Sequence, residues 1–591
     1  MRSRALAVDG WRALPYRHLI PIDCPVQELA MDARVPQPQL ISRRGLIGAA
    51  ALTAAALAAG CTVPGTEEAA SEAEARELAV GITRPRALDP FEVEGTAAEA
   101  VASLLFEPLV RYDYAAGELV GAAAWRFEVS DDALTCTFHL REQTFHTGEP
   151  VTAADFKRSW ERLIDPRGAA VQALGASPNA YRLALVQGYA ELAAGDAAEL
   201  SGVACPDDAT LVVTLTEPYA EFAHILAHPS LAAVPASADA DLAAFGSSPQ
   251  GAGPFAMEGS WGENSTAIRL ARYEGYAAVD DALPSVRFVL YPSVASAYQE
   301  FLTGTLDVAA CPVDELEGAI ARYGVAADGL TASAGQRLVE SARLAVSYLA
   351  LNTTAAPLDD PAVRRALSLA IDREGLASRV YRDMHLPASG VVPSCVEGYR
   401  EGAWPYALND PRQAETLLDG VLPRDEEGLR GETLSLIFAG RGGHDNAMDE
   451  IAAAWEDLGF TCEPEELEEQ DFRERVRTGN FQVARLDAVS DRPTAESFLF
   501  PLFHSRSAGG GNVTGFASEE VDNLLNLARA VTGDSERMSA LEQADELVAA
   551  DVPVIPLTYP LQVIAAGEAA DGLIIDPQGY LNVEGMTAGE E

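Results

Sequence analysis

From Glu77 to Thr558, short strand patterns and amphipathic helix patterns follow one another in mixed order, which restricts the chain to an α/β fold. The spacing predicts strands at Glu77–Thr83, Trp125–Glu128, Leu134–Leu140, Ala209–Leu215, Ala267–Ala271, Ser285–Leu290, Leu434–Ala439, Gln482–Leu486 and Val554–Thr558. Helical periodicity predicts Ala98–Val110, Ala153–Ile164, Val294–Thr303, Pro361–Ile371, Asp445–Leu458 and Glu519–Ala530, with Thr152 as a good N-cap for the second. No repeat period and no heptad run interrupts this mixture. At 591 residues the chain is far too long for one hydrophobic core, and it suggests roughly three or four domain-sized units.

The N-terminal region reads as an address. Arg43 and Arg44 precede an uncharged run from Gly45 to Ala59 that ends in Leu57-Ala58-Ala59-Gly60-Cys61. A positive flank, a short apolar run and small residues before a cleavage point make a secretory signal. The run is shorter than the roughly 20 residues a membrane-spanning helix needs. Paired arginines suggest the twin-arginine route. The small residues before Cys61 resemble a bacterial lipobox, in which the cysteine becomes the first mature residue and carries the lipids. Ala58 stands where that pattern favours leucine. Met31 would give a signal of ordinary length. Residues 1–60 are therefore read as a leader, and 61–77, rich in Ala, Glu and Ser, as a solvated tether.

Charge and motifs exclude several function classes. Asp and Glu outnumber Lys and Arg 89 to 42, a formal net charge of −47 that repels nucleic acid and anionic lipid. Five cysteines follow the leader (Cys136, Cys205, Cys311, Cys395, Cys462), none in C-x-x-C and none at zinc spacing with histidine. Buried thiols are the reading for most of them, with one disulfide left open. The chain lacks G-x-S-x-G, H-E-x-x-H and G-x-x-x-x-G-K-[ST], and its paired carboxylates at 465–466 and 468–469 lie in a solvated charge run. Neither an enzyme nor a metal or cofactor site is expected.

Three blocks carry a resemblance. The first runs from Leu88-Asp89-Pro90 through Leu105-Phe106-Glu107-Pro108-Leu109-Val110 and Trp125-Arg126-Phe127-Glu128 to Phe145-His146-Thr147-Gly148-Glu149-Pro150 and Asp165-Pro166. The second is Gly251-Ala252-Gly253-Pro254-Phe255 with Gly304-Thr305-Leu306-Asp307-Val308. The third begins at Tyr348-Leu349-Ala350-Leu351-Asn352 and ends at Pro553-Val554-Ile555-Pro556-Leu557. Over residues 78–560 the chain resembles the family-5 extracellular solute-binding proteins of ABC importers, the oligopeptide- and dipeptide-binding lipoproteins. The resemblance implies a periplasmic-binding-protein-like fold of type II, a large three-domain Venus flytrap. Lobe I would comprise 78–110, 246–344 and 550–591, an inserted domain II would occupy 111–245, and lobe III would occupy 345–549. It also implies a monomer, anchored to the outer face of the cell membrane by its lipid, that delivers a peptide to permease subunits. A nickel complex, a sugar or glutathione is the alternative cargo, and a peptide sensor or adhesin without transport is the alternative role.

A zwitterionic peptide buried between lobes needs partners for its ammonium and carboxylate. The segment Ala484–Leu499 is similar without gaps to the family's ligand-lining segment. By that likeness Asp491 would pair with the ligand's ammonium and Arg485 would face its far end. Glu94 would approach from the other lobe, and His444 would occupy a less constant carboxylate-facing position. The likeness departs at Ala488, where the family often has tryptophan, and at Arg492, a tyrosine-like position.

Overall fold

The computed structural model describes residues 77–276, 283–431, 433–440, 444–583 and 586. The export residues Arg43 and Arg44, the lipidation candidate Cys61 and the tether lie outside the described residues. Among the described residues, no helix is long and apolar enough to cross a membrane.

One twelve-stranded mixed sheet runs through both lobes, and helices cover its faces. In the first lobe, Glu77–Thr83 pairs in parallel with Ser285–Tyr291 on one side and with Val308–Ala310 on the other. Ala267–Arg272 and Phe255–Met257 extend this half to its edge. In the far lobe, Ala345–Leu351 lies between Val483–Val489 and the first half of Val554–Ala566. All seven residues of Ala345–Leu351 are buried, as a strand covered on both faces requires. Its Leu349 and Leu351 pack with Leu367, Ile451 and Trp455, whereas Val346, Tyr348 and Ala350 join the cluster on the opposite face.

The thirteen-residue strand Val554–Ala566 belongs to both halves. Its residues 554–558 pair with Ala345–Leu351, and its residues 561–566 pair with Leu338–Ala342 and Val308–Ala310. The chain thus crosses between the lobes twice in neighbouring segments, at Ala342–Ala345 and at Tyr559–Leu561. The two crossings are bonded, Arg343 N donating to Pro560 O at 2.9 Å. The sequence-based boundary at 549/550 assigns the whole strand to the first lobe, whereas its residues 554–558 pair with Ala345–Leu351 of the far lobe.

The inserted body is a four-stranded antiparallel sheet, Ala124–Val129, Thr135–Leu140, Thr210–Thr214 and Val203–Asp207 in lineage of pairing, with a hairpin of Val110–Asp113 and Glu118–Gly121 beside it. Helix Ala153–Ile164 packs Phe156 and Trp160 against Phe138, Leu211 and Val213. Thr152 begins that helix as expected, and the Asp155 carboxylate accepts from its N–H at 2.9 Å and its hydroxyl at 2.8 Å. The first predicted helix is shorter than the pattern suggested. It spans Thr96–Leu105, and Phe106 is already extended two residues before Pro108, which cannot continue a helix.

The recognisable sequence blocks are packing devices that join the first lobe to the inserted body. Asp89 and Arg162, both nearly fully buried, form a two-pronged pair with contacts of 2.7 and 2.6 Å. The Gly251–Phe255 block runs between the end of helix Thr96–Leu105 and His146. Gly251 N donates to His146 Nδ1 at 3.1 Å, and Gly253 N donates to Leu105 O at 3.0 Å. A Cβ on Gly251 would overlap the Leu105 carbonyl, and one on Gly253 would lie 2.5 Å from Leu104 O. Gly251→Ala and Gly253→Ala should therefore each destabilise the protein by about 1–3 kcal/mol through overpacking. Chemical denaturation checks this, with Gly246→Ala, which lies in a helix and meets no atom within 4 Å, as the comparison that should lose no stability.

Candidate functional site

The face between the lobes is built from charged residues of three separate chain regions. Asp491 follows the strand Val483–Val489 of the far lobe. Its carboxylate forms an ion pair with Arg182 of the inserted domain and lies 3.6 Å from Arg492 Nε. The backbone carbonyl of Asp491 accepts from Gln578 Nε2 at 3.1 Å, and Gln578 Oε1 accepts from Tyr114 at 3.0 Å. Asp491 is thus held at the seam from the first lobe and from the inserted domain together.

Arg182 sits on a short helical turn, Ala180–Leu183, and its side chain is 9% exposed. Its Nε donates to Asn179 Oδ1 at 3.2 Å, Nη2 lies 3.1 Å from His228 Nε2, and Nη1 faces Asp491. Burial, assisted by the Arg182 charge, pushes His228 down to about 4, so its ring is neutral at pH 7. His228 also lies 3.6 Å from Glu99 Oε1. Burial tends to raise the Glu99 carboxyl, but His228 and Arg182 outweigh it and leave that carboxyl below its ordinary value.

A second contact crosses the seam where Glu217–Glu221 of the inserted domain enters a socket of the far lobe. The Tyr219 hydroxyl donates to Glu496 Oε2 at 2.7 Å and accepts from Arg492. Arg529 lies 4.4 Å from the centre of the Tyr219 ring, a cation–π arrangement. Glu217 pairs with Arg506 at 2.6 Å and Arg529 at 2.9 Å, and Glu221 pairs with Arg537 at 3.1 Å. Ala220 N donates to Arg529 O at 2.7 Å.

The sequence candidates divide into separate groups. Arg485 and His444 come together inside the far lobe, Nη1 to Nε2 at 3.0 Å. Arg485 also donates to Asp487 Oδ2 at 2.6 Å and Ser347 Oγ at 3.1 Å, so most of its fork is directed at its own lobe. Burial alone would raise the Asp487 carboxyl, but Arg485 and the Ser347 hydroxyl hold it below the usual range. Burial and the Arg485 charge push His444 down to about 4. Asp491 lies six residues beyond Arg485, at most about 20 Å away along an extended chain. Glu94 is exposed on the approach to helix Thr96–Leu105, while Glu99, in the first turn of that helix, is the acid that faces the Arg182 side of the seam. Arg182, Tyr219 and Asp487 were missed from sequence. Asp487 had a signal, since its two-residue spacing from Arg485 places both on one face of a strand.

The comparisons with known proteins agree with this architecture. Residues 118–510 match the family described as bacterial extracellular solute-binding proteins, family 5 middle. Heme-binding protein A of Haemophilus influenzae is 26% identical over 502 residues, 83% of this chain and 87% of that protein. The periplasmic oligopeptide-binding protein OppA of Salmonella typhimurium is 26% identical over 534 residues, 88% of this chain and 93% of that protein. The solved structure of HbpA2 from Haemophilus parasuis superposes with a TM-score of 0.74 at 22% identity, covering 86% of this chain and 99% of that one. The chain belongs to the family-5 extracellular solute-binding proteins of ABC transporters. The family consists of substrate-binding proteins rather than enzymes.

The seam carries a pH dependence. Burial, reinforced by the Glu496 charge, pushes the Glu221 carboxyl up to about 7 from an ordinary value of 4.5. The folded protein then binds more protons than the unfolded chain between those values, so this contribution is complete below pH 4.5 and is lost as pH rises through about 7. Glu221→Gln should flatten the decline in melting temperature between pH 5 and 8. At pH 8 it should gain roughly 1 °C for each kcal/mol of relieved burial cost.

Proposed function

We propose that the protein captures peptides between its two lobes outside the cell and delivers them unchanged to an ABC permease. In this reading a lipid on Cys61 holds the protein to the outer face of the membrane and the protein acts as a monomer. The observation that carries the reading is Asp491, a far-lobe carboxylate presented at the seam opposite the inserted domain and the first lobe. A carboxylate in that position suits a ligand ammonium, which needs a charged partner when it leaves water. Arg485, on the strand Val483–Val489 that leads to Asp491, is the cation proposed for a ligand's other end, which would share it with Asp487. Extended backbone between the two would be paired through main-chain hydrogen bonds, leaving side chains in tolerant hydrated pockets. The name of the Salmonella relative supports peptides, and that of the Haemophilus relative marks a different cargo within the same family.

Thermal-shift screening of the refolded protein against di- to octapeptides tests the reading. A ligand that binds only the native state should add about 2.7 kcal/mol of stability at 100 times its dissociation constant. Free-amino peptides should raise the melting temperature, and N-acetylation or Asp491→Ala should abolish the rise. A rise produced by a sugar, heme or a metal complex and by no peptide would replace the proposed cargo.

A further inference from the structure

Asp491 has a partner in the chain itself. We propose that Arg182 is a displaceable internal occupant of the ammonium site, a specificity-determining residue that a peptide's amino group must expel from Asp491 before the cleft takes the ligand. The inference rests on the peptide reading for the identity of the displacing ligand, but the contact itself does not depend on any cargo.

Arg182 is placed by its own side of the seam. Asn179, which receives its Nε, is buried and donates from Nδ2 to Val93 O at 2.9 Å and Pro90 O at 3.3 Å. Ser177, also buried, donates to Phe91 O at 2.6 Å. The turn bearing Arg182 is therefore tied to the first lobe's 90–93 backbone, and the guanidinium reaches across the seam from a fixed base. His228, kept neutral, receives a second guanidinium nitrogen without opposing it. The third nitrogen is the one left for Asp491.

An exchange needs somewhere for the displaced cation to go, since a stranded buried charge would cost more than the ligand gains. Glu99 supplies it. This carboxylate lies beside His228 on the same side of the seam, and its charged form is already favoured by Arg182. A ligand ammonium on Asp491 and Arg182 drawn towards Glu99 would leave every charge matched. The ligand then gains only the difference between its own bond to Asp491 and the one it replaces. The chain thereby lowers its affinity for any ligand offering nothing but an amino terminus, and an N-blocked ligand leaves the internal pair intact.

Arg182→Gln keeps hydrogen-bonding capacity and removes the competing charge, and Arg182→Lys restores a cation. Calorimetry should show free-amino peptides binding Arg182→Gln about tenfold more tightly than wild type, with N-acetylated forms of the same peptides unchanged and Arg182→Lys returning towards wild type. Unchanged or weaker binding of free-amino peptides by Arg182→Gln overturns the proposal while leaving the peptide reading in place. A melting-temperature cycle of Arg182→Gln, Asp491→Asn and the double variant, all without ligand, reads the contact directly. Coupled effects support the internal pair, and additive effects overturn it. If the pair is coupled but no peptide binds wild type or variant, the peptide cargo falls and Arg182 as its competitor falls with it, the interlobe pair alone remaining. Should Arg182→Gln fail to fold, Glu99→Gln replaces it. Removing the displaced cation's destination should weaken free-amino peptides selectively, and equal weakening of N-acetylated peptides overturns the exchange.

Discussion

The strand Val554–Ala566 constrains everything else, because its hydrogen bonds belong to two bodies at once. Its first half completes the sheet of the far lobe and its second half completes that of the first lobe. Among the described residues one other crossing, at Ala342–Ala345, accompanies it, and the two are bonded through Arg343 and Pro560. A pair of adjacent strands with separate sheets at either end can flex where the ladders change partner, while each end stays stiff. The far lobe holds the crossing through Tyr559, buried and donating to Gly390 O at 2.9 Å, and through Leu561 N, which donates to Met384 O at 2.9 Å. Two stiff bodies on a narrow crossing define a cleft, and hinge closure around a ligand is the motion such a crossing allows.

The seam facing that cleft is polar, unlike the cores on either side. Asp491, Arg182, Arg492, Glu496 and Tyr219 meet where the bodies touch, and Glu217 and Glu221 enter a socket lined by Arg506, Arg529 and Arg537. Charged contacts between domains gain little net energy when they are desolvated, yet they are sensitive to register. A protein that must close and reopen is served by such contacts, since an apolar interface of the same extent would hold it shut. The Arg485–Asp487–Ser347–His444 group shows a different design, bonded within one lobe, with Arg485 Nε and His444 Nδ1 buried there without a hydrogen-bond partner among the described residues.

Much of the fold was legible because its elements obey their own periodicities. Ala153–Ile164 and Glu519–Ala530 appear with the bounds their patterns indicated, each behind a capping residue, Thr152 or Ser518. The errors have local causes. Pro108 shortened the first helix, and Pro560 hid the second half of the shared strand, so the pattern ended at Thr558 where the hinge begins. The site was half legible. Asp491 could be placed by the likeness of its segment, but its partner Arg182 lies on an irregular turn in another domain with no spacing to announce it. The likeness pointed to Glu94, whereas it is Glu99, without a signal of its own in the sequence, whose helical position turns it towards His228 and Tyr580. Pairings of this kind exist only after the domains have assembled.

The central claim is that a ligand's amino group and Arg182 compete for one carboxylate between two lobes. A crystal structure of the protein with a free-amino peptide bound tests it most directly. The peptide nitrogen should lie within hydrogen-bond distance of Asp491, with Arg182 turned from that carboxylate towards Glu99. A peptide bound in the cleft with the Arg182–Asp491 pair intact, or with its amino group far from Asp491, would contradict it.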